Sequence, residues 1–205
     1  MNRINKPSAA LALAIAGALA LAGCGGAAPG ADAAQEPPLA GAAIGGDFTL
    51  VNSKGETVRW GDFAGRYRVV YFGYTFCPDV CPTDVQRIAQ GLKKLKAEDP
   101  AKAAKIVPIF ISVDPERDTP QVVGAFAAAF SPDMVGLTGT REQVDAAAKA
   151  FAVAHGKGET QPGGGYLVDH TRIVYLFGPD GAPIATLPAD RGAEAVAAEL
   201  ARWVS

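Results

Sequence analysis

Two apolar runs, Tyr67–Tyr74 and Ile106–Val113, constrain this chain more than any other feature of it. Neither alternates apolar with polar residues, as a strand with one wet face would, so both read as central strands covered on two faces. Between them Val85, Ile88, Ala89, Leu92 and Leu95 recur at helical spacing. Strand, helix, strand in that order implies parallel pairing through a helical crossover. The pattern continues with a helix over about 120–130, a short strand at Met134–Leu137, and a helix opened by Thr140 and Gln143 and running to about Val153. A strand region at Tyr166–Phe177 follows, then the turn Pro179-Asp180-Gly181 into Pro183–Leu187, and a closing helix over 192–203. Upstream, Asp47–Val51 and Glu56–Arg59 flank Asn52-Ser53-Lys54-Gly55, which predicts a hairpin. Thr83 and Gln86 have capping-box spacing at the start of the first long helix. The predicted fold is α/β, a thioredoxin-like central sheet with flanking helices and an extra N-terminal β-hairpin.

The N-terminal stretch does not belong to that fold. Arg3 and Lys6 precede an Ala-rich apolar segment from about Ala9 to Ala22, shorter than a comfortable membrane span, which reads as a signal peptide. It ends in Leu21-Ala22-Gly23-Cys24, which resembles the bacterial lipoprotein box. That resemblance implies lipidation of Cys24 after removal of residues 1–23, and so an exported, membrane-anchored lipoprotein facing the periplasm or cell exterior. Residues 24–45 are Gly, Ala and Pro with few large side chains, and are expected to form a flexible tether. The domain is expected over 46–205. The formal net charge of the 205 residues is −2, with Lys and Arg scattered, so no nucleic-acid footprint is visible.

Three cysteines are present. With Cys24 assigned to lipid, Cys77 and Cys81 remain as one close pair. One pair in an exported chain with a sizeable core is not a disulfide scaffold, and points to redox chemistry or metal binding. Cys77-Pro78-Asp79-Val80-Cys81-Pro82 falls between the first apolar strand and its helix. The end of a central strand is where crevices form in open α/β sheets, and a helix start lowers a thiol's pKa. Dedicated thioredoxin-type exchangers carry two residues between their cysteines. Here there are three, which suits chelation somewhat better without preventing a disulfide. Two thiolates under-coordinate most metals, and the chain offers two histidines as a third ligand. His170, in Val168-Asp169-His170-Thr171, starts a strand segment that can approach the helix N-terminus; His155 sits near a helix end, where a cation beside the C-terminal dipole explains it. Two soft sulfurs and an imidazole match Cu(I), and also bind Cu(II). Zinc asks for a fourth ligand, and iron–sulfur clusters for more cysteines.

Three blocks together resemble the Sco/SenC family: Tyr71-Phe72-Gly73-Tyr74-Thr75-Phe76-Cys77-Pro78-Asp79-Val80-Cys81-Pro82, Ile111–Pro120, and Asp169-His170-Thr171 with Val174-Tyr175-Leu176. The resemblance spans about 46–203. It implies copper-binding assembly factors of cytochrome c oxidase, thioredoxin-like, with Cys77, Cys81 and His170 as copper ligands. It further implies delivery of copper to the binuclear centre of oxidase subunit II, or another copper oxidase client, by a metallochaperone. The alternative is a thiol–disulfide reductase that uses Cys77 and Cys81 as a redox pair to keep the client's cysteines reduced. Other copper chaperones and thiol reductants are further expected partners. Many family members are held by a transmembrane helix, whereas this chain shows a lipoprotein box.

Other residues weigh less. Asp79 is expected as an N-cap or a solvated loop carboxylate. Asp114 and Asp118 invite an acid–base pair, but turn and cap roles fit their proline neighbours better. Tyr74 and Phe76 are expected in the core, and 156–165 as a Gly-rich loop. A peroxidase of the peroxiredoxin kind would carry Thr three residues before its reactive cysteine, where this chain has Tyr74.

Overall fold

The computed structural model describes residues 35–160 and 164–205. The expected signal peptide and the Cys24 lipidation site lie outside the described residues.

A hairpin of β1 (Thr49–Val51) and β2 (Thr57–Arg59) comes first. The chain continues through β3 (Tyr67–Gly73), α1 (Val80–Glu98), α2 (Pro100–Ala103), β4 (Ile106–Ser112), α3 (Pro120–Phe130) and β5 (Val135–Leu137). It closes with α4 (Arg141–Ala150), β6 (His155–Thr160), β7 (Tyr166–His170), β8 (Val174–Phe177), β9 (Pro183–Thr186) and α5 (Ala193–Trp203). The main sheet has strand order β5-β4-β3-β8-β9. β3, β4 and β5 are parallel; β8 and β9 are antiparallel. This is a thioredoxin-like sheet with an added N-terminal hairpin. Every residue of β3 and β4 is buried, which is why neither run alternates.

The hairpin is attached by backbone and by aromatics. Val51 and Thr138 exchange hydrogen bonds at 2.7 and 3.0 Å. Trp60, just after β2, meets Phe151 and Phe177 edge-on, both at 5.2 Å between ring centres. Within the segment expected as tether, Leu39 and Ile44 pack against the core, and Leu39 N donates to Ile184 O at 3.0 Å. No helix among the described residues is long and apolar enough to cross a membrane.

Three local expectations need correction. The strand region 166–177 is two strands, because the chain leaves the β6–β7 ribbon at His170 and enters the main sheet at Val174. Part of the expected Gly-rich loop is strand β6. And Thr83 does not cap α1: the helix begins at Val80, and the Thr83 hydroxyl donates to Asp79 O at 2.9 Å. The spacing of Thr140 and Gln143, by contrast, is a true capping box at the start of α4.

α1 and α5 touch through Gly91. A Cβ there would stand 2.6 Å from Val196 Cγ1 and 3.0 Å from Ala193 O. Alanine improves helix propensity by about 1 kcal/mol, but overpacking against a buried β-branched side chain costs about 1–3 kcal/mol. Gly91→Ala is therefore expected to lower the urea midpoint, and Gly91→Val to lower it further. A raised midpoint for alanine would show that the two helices separate freely.

Candidate metal centre

The loop between β3 and α1 is held from below. Asp118 is fully buried and accepts from Thr75 N at 3.0 Å, Thr75 Oγ1 at 2.6 Å and Ser112 Oγ at 2.5 Å. Burial raises its pKa, against the lowering effect of those three bonds. Asp118 thus ties the loop after β3 to the end of β4. Asp114 instead accepts from Arg117 Nε at 2.6 Å and from the Tyr166 hydroxyl at 2.8 Å. The two carboxylates face different partners. Thr119, not either Asp, caps α3 through its side chain.

Cys77 precedes α1 and Cys81 lies in its first turn. Cys81 N donates to Cys77 Sγ at 3.4 Å, so a sulfur fills the capping position that the exposed Asp79 side chain leaves open. Burial pushes the Cys77 thiol up, but the N–H groups of Asp79 and Cys81, the Cys81 thiol and the Tyr74 hydroxyl outweigh it and leave the pKa lowered. Cys81 has no exposed surface, and burial raises its pKa strongly. The pair is therefore asymmetric: the pKa of Cys77 is lowered, and that of the more deeply buried Cys81 is raised. Gly73 makes room for the deeper one, since a Cβ there would be 3.3 Å from Cys81 Sγ and 3.0 Å from the Tyr71 ring.

His170 arrives at the end of β7. Its Nε2 stands 3.3 Å from Cys81 Sγ, and its Nδ1 stands 3.1 Å from Thr171 O. A carbonyl only accepts, so Nδ1 carries the hydrogen and Nε2 presents its lone pair to the sulfur. Burial lowers the His170 pKa, which favours the neutral ring that a metal requires. Tyr71 and Tyr74 flank the imidazole edge-on, both at 6.1 Å between ring centres. His155 is the cross-strand partner of His170, but its Nε2 engages Asp145 Oδ1 at 3.2 Å.

The expected site residues among the described residues thus sort clearly. Cys77, Cys81 and His170 come together, and His155 is occupied elsewhere. Tyr74 is buried as expected, whereas Phe76 is 53% exposed, beside Cys77 and 4.9 Å from the Arg117 guanidinium. Two residues were missed: Asp84, buried on α1, and Arg172, just past His170. The Arg172 guanidinium grips both oxygens of Asp84, and Tyr71 donates to Oδ2 of the same carboxylate at 3.1 Å. The available signal was an acidic residue one turn beyond Cys81 in a helix with a buried face. Among the described residues, no group of three or more His, Cys, Asp or Glu side chains already stands in the arrangement of a metal site. Cys77, Cys81 and His170 are linked instead through an N–H···S contact and an S···N contact.

A family model described as SCO1/SenC matches residues 36–205. The chain belongs to the SCO1/SenC family. It is 46% identical over 143 residues to the protein SenC of Rhodobacter capsulatus, covering 68% of this chain and 61% of that one. It is 42% identical over 138 residues to the human mitochondrial SCO1 homolog, covering 67% of this chain and 45% of that one. The match thus spans about half the length of these curated relatives. Among solved structures it is similar to Arabidopsis thaliana ScoI with copper bound, at TM-score 0.73 and 34% identity, covering 78% of this chain and 98% of that one.

Proposed function

We propose that this SCO1/SenC protein is a copper metallochaperone for assembly of the binuclear copper centre of cytochrome c oxidase. Cys77 and Cys81 bind copper as thiolates, and His170 Nε2 completes a trigonal site. The observation that carries this is the approach of a neutral imidazole, lone pair first, to within 3.3 Å of a sulfur whose neighbour four residues back shares the same helix start. Loading exchanges the S–H···N and N–H···S contacts for metal bonds and releases the thiol protons to solvent. Two thiolates and an imidazole favour Cu(I) and also admit Cu(II). The likeness to a copper-bound ScoI supports the same cargo. An open three-coordinate ion is released by ligand exchange with an incoming client sulfur. Cys24 carries the lipid that holds the domain at the outer face of the membrane, beside oxidase subunit II.

The test is deletion of the chain's gene, followed by oxidase activity with and without added copper. Restored activity on copper addition supports delivery. Restoration by a thiol reductant alone, with copper ineffective, overturns it.

The asymmetry of the two sulfurs favours a second reading, thiol–disulfide exchange. The Cys77 thiolate attacks a client disulfide, Cys81 resolves the mixed disulfide, and the products are a Cys77–Cys81 disulfide and a client dithiol. Covalent capture of a client by Cys77 in Cys81→Ser supports it. A metal-free chain that leaves a disulfide-bonded client peptide oxidised rules it out.

A further inference from the structure

β7 pairs with β6 in a two-stranded ribbon outside the main sheet, whose named register ends at the His155–His170 pair. Just past it Thr171 N donates to Ala154 O at 2.8 Å and Thr171 Oγ1 accepts from Ala154 N at 3.0 Å, which fixes the backbone beside His170 on the β6 side. Beyond it residues 171–173 cross to β8. Arg172 lies in this crossing and reaches α1, where Nε and an Nη nitrogen each bond a different oxygen of Asp84. Asp84 is 1% exposed. It is three residues after Cys81 on the same helix, so the sulfur and the carboxylate share a face. The helix therefore offers a sulfur and a carboxylate one turn apart. The crossing offers an imidazole and a guanidinium two residues apart. The two pairs lie side by side, sulfur to imidazole and carboxylate to guanidinium.

We infer that the Asp84–Arg172 pair is the positioning element that holds the His170 ring against Cys81 and sets the imidazole's reach to bound metal. A guanidinium fork on a carboxylate is directional at both ends, unlike the point charge of a lysine. A buried carboxylate left without its partner is strongly unfavourable, so the fork stays closed in the folded chain. Tyr71 adds a third bond to the carboxylate and rests its ring edge-on to His170, which fixes the two ends of the cluster to each other. The consequence for copper rests on the metallochaperone reading. The hold on the ring does not.

The experiment uses the purified reduced chain in two arms. The first is metal-free and reads the His170 ring by imidazole NMR in wild type, Arg172→Lys, Arg172→Met, and the double variant Asp84→Asn/Arg172→Met. The double variant leaves no unpaired buried charge, so it separates loss of positioning from loss of fold, which far-UV circular dichroism checks. The expected result is one defined ring environment with Nδ1 protonated in wild type, lost in the folded double variant and not restored by lysine. The second arm measures Cu(I) affinity by competition and the thiolate-to-Cu(II) absorption band. Removing residues that orient a ligand typically weakens metal binding about 10–100-fold, so the double variant is expected to lose about that much and to shift the band. Adding His170→Ala to it should cost nothing more. A ring that stays in place in the folded double variant overturns the inference, as does an equal loss of affinity with and without His170. Should His170→Ala alone leave copper binding unchanged, the imidazole's part in the copper site fails, and the metal-free ring measurement still decides the clamp.

Discussion

Exchanging Cys81 for serine is expected to abolish tight Cu(I) binding by the reduced chain. The loss should exceed the roughly 10–100-fold typical of changes to groups that merely orient a ligand. Cys81 is the junction of the site: its Sγ meets His170 Nε2 at 3.3 Å, and its N–H binds Cys77 Sγ at 3.4 Å. A serine hydroxyl fits the same buried position, yet a hard, protonated oxygen is a poor ligand for a soft monovalent ion. Cys77→Ser should lose a comparable amount, since a single thiolate and an imidazole hold Cu(I) weakly. His170→Ala should lose less and leave a linear dithiolate ion. Competition against a chromogenic Cu(I) chelator reads all three. Equal affinity in wild type and the three variants would remove the site altogether.

The largest expected effect on stability comes from Asp118→Ala. The carboxylate collects one backbone N–H and two hydroxyls, all from elements that converge beneath the thiol loop. Truncation strands these donors in a buried site, at about 2–4 kcal/mol in total. Urea unfolding measures the loss, and a change below about 0.5 kcal/mol would contradict it. The same variant should expose Cys77 to thiol reagents faster than wild type, because Thr75 loses its anchor two residues before the cysteine. The pH dependence has a definite sign. Burial raises the Asp118 pKa, so the folded chain holds that proton more tightly than the unfolded chain does. The stabilisation is complete below the ordinary carboxylate range and disappears as pH rises through the elevated folded value. Asp118→Asn should lack that component.

What the sequence revealed and what it concealed follow from where side chains go. Tyr67–Tyr74 and Ile106–Val113 were legible because burial on two faces suppresses alternation, a signature that needs no knowledge of the partner. Thr140 with Gln143 was legible because an oxygen cap is local. Thr83 with Gln86 misled because the true cap of α1 is the Cys77 sulfur, which no capping pattern contains. β6 was hidden because none of its residues is fully buried, so Gly156 and Gly158 read as loop. The three candidate ligands could be named in advance because few residue types serve, and few copies are present. Asp84 and Arg172 could not: 88 positions separate them, and only the closure of the sheet makes them neighbours. Phe76 was placed inside because aromatics usually go there, yet it stands out beside the thiol.

The sulfur that terminates α1 has one further effect. A sulfur acceptor grips an amide more loosely than oxygen does. The atom that would meet an incoming electrophile is also the atom that closes the opening coil of the helix, so the reactivity of the thiol and the order of the main chain draw on one shared acceptor.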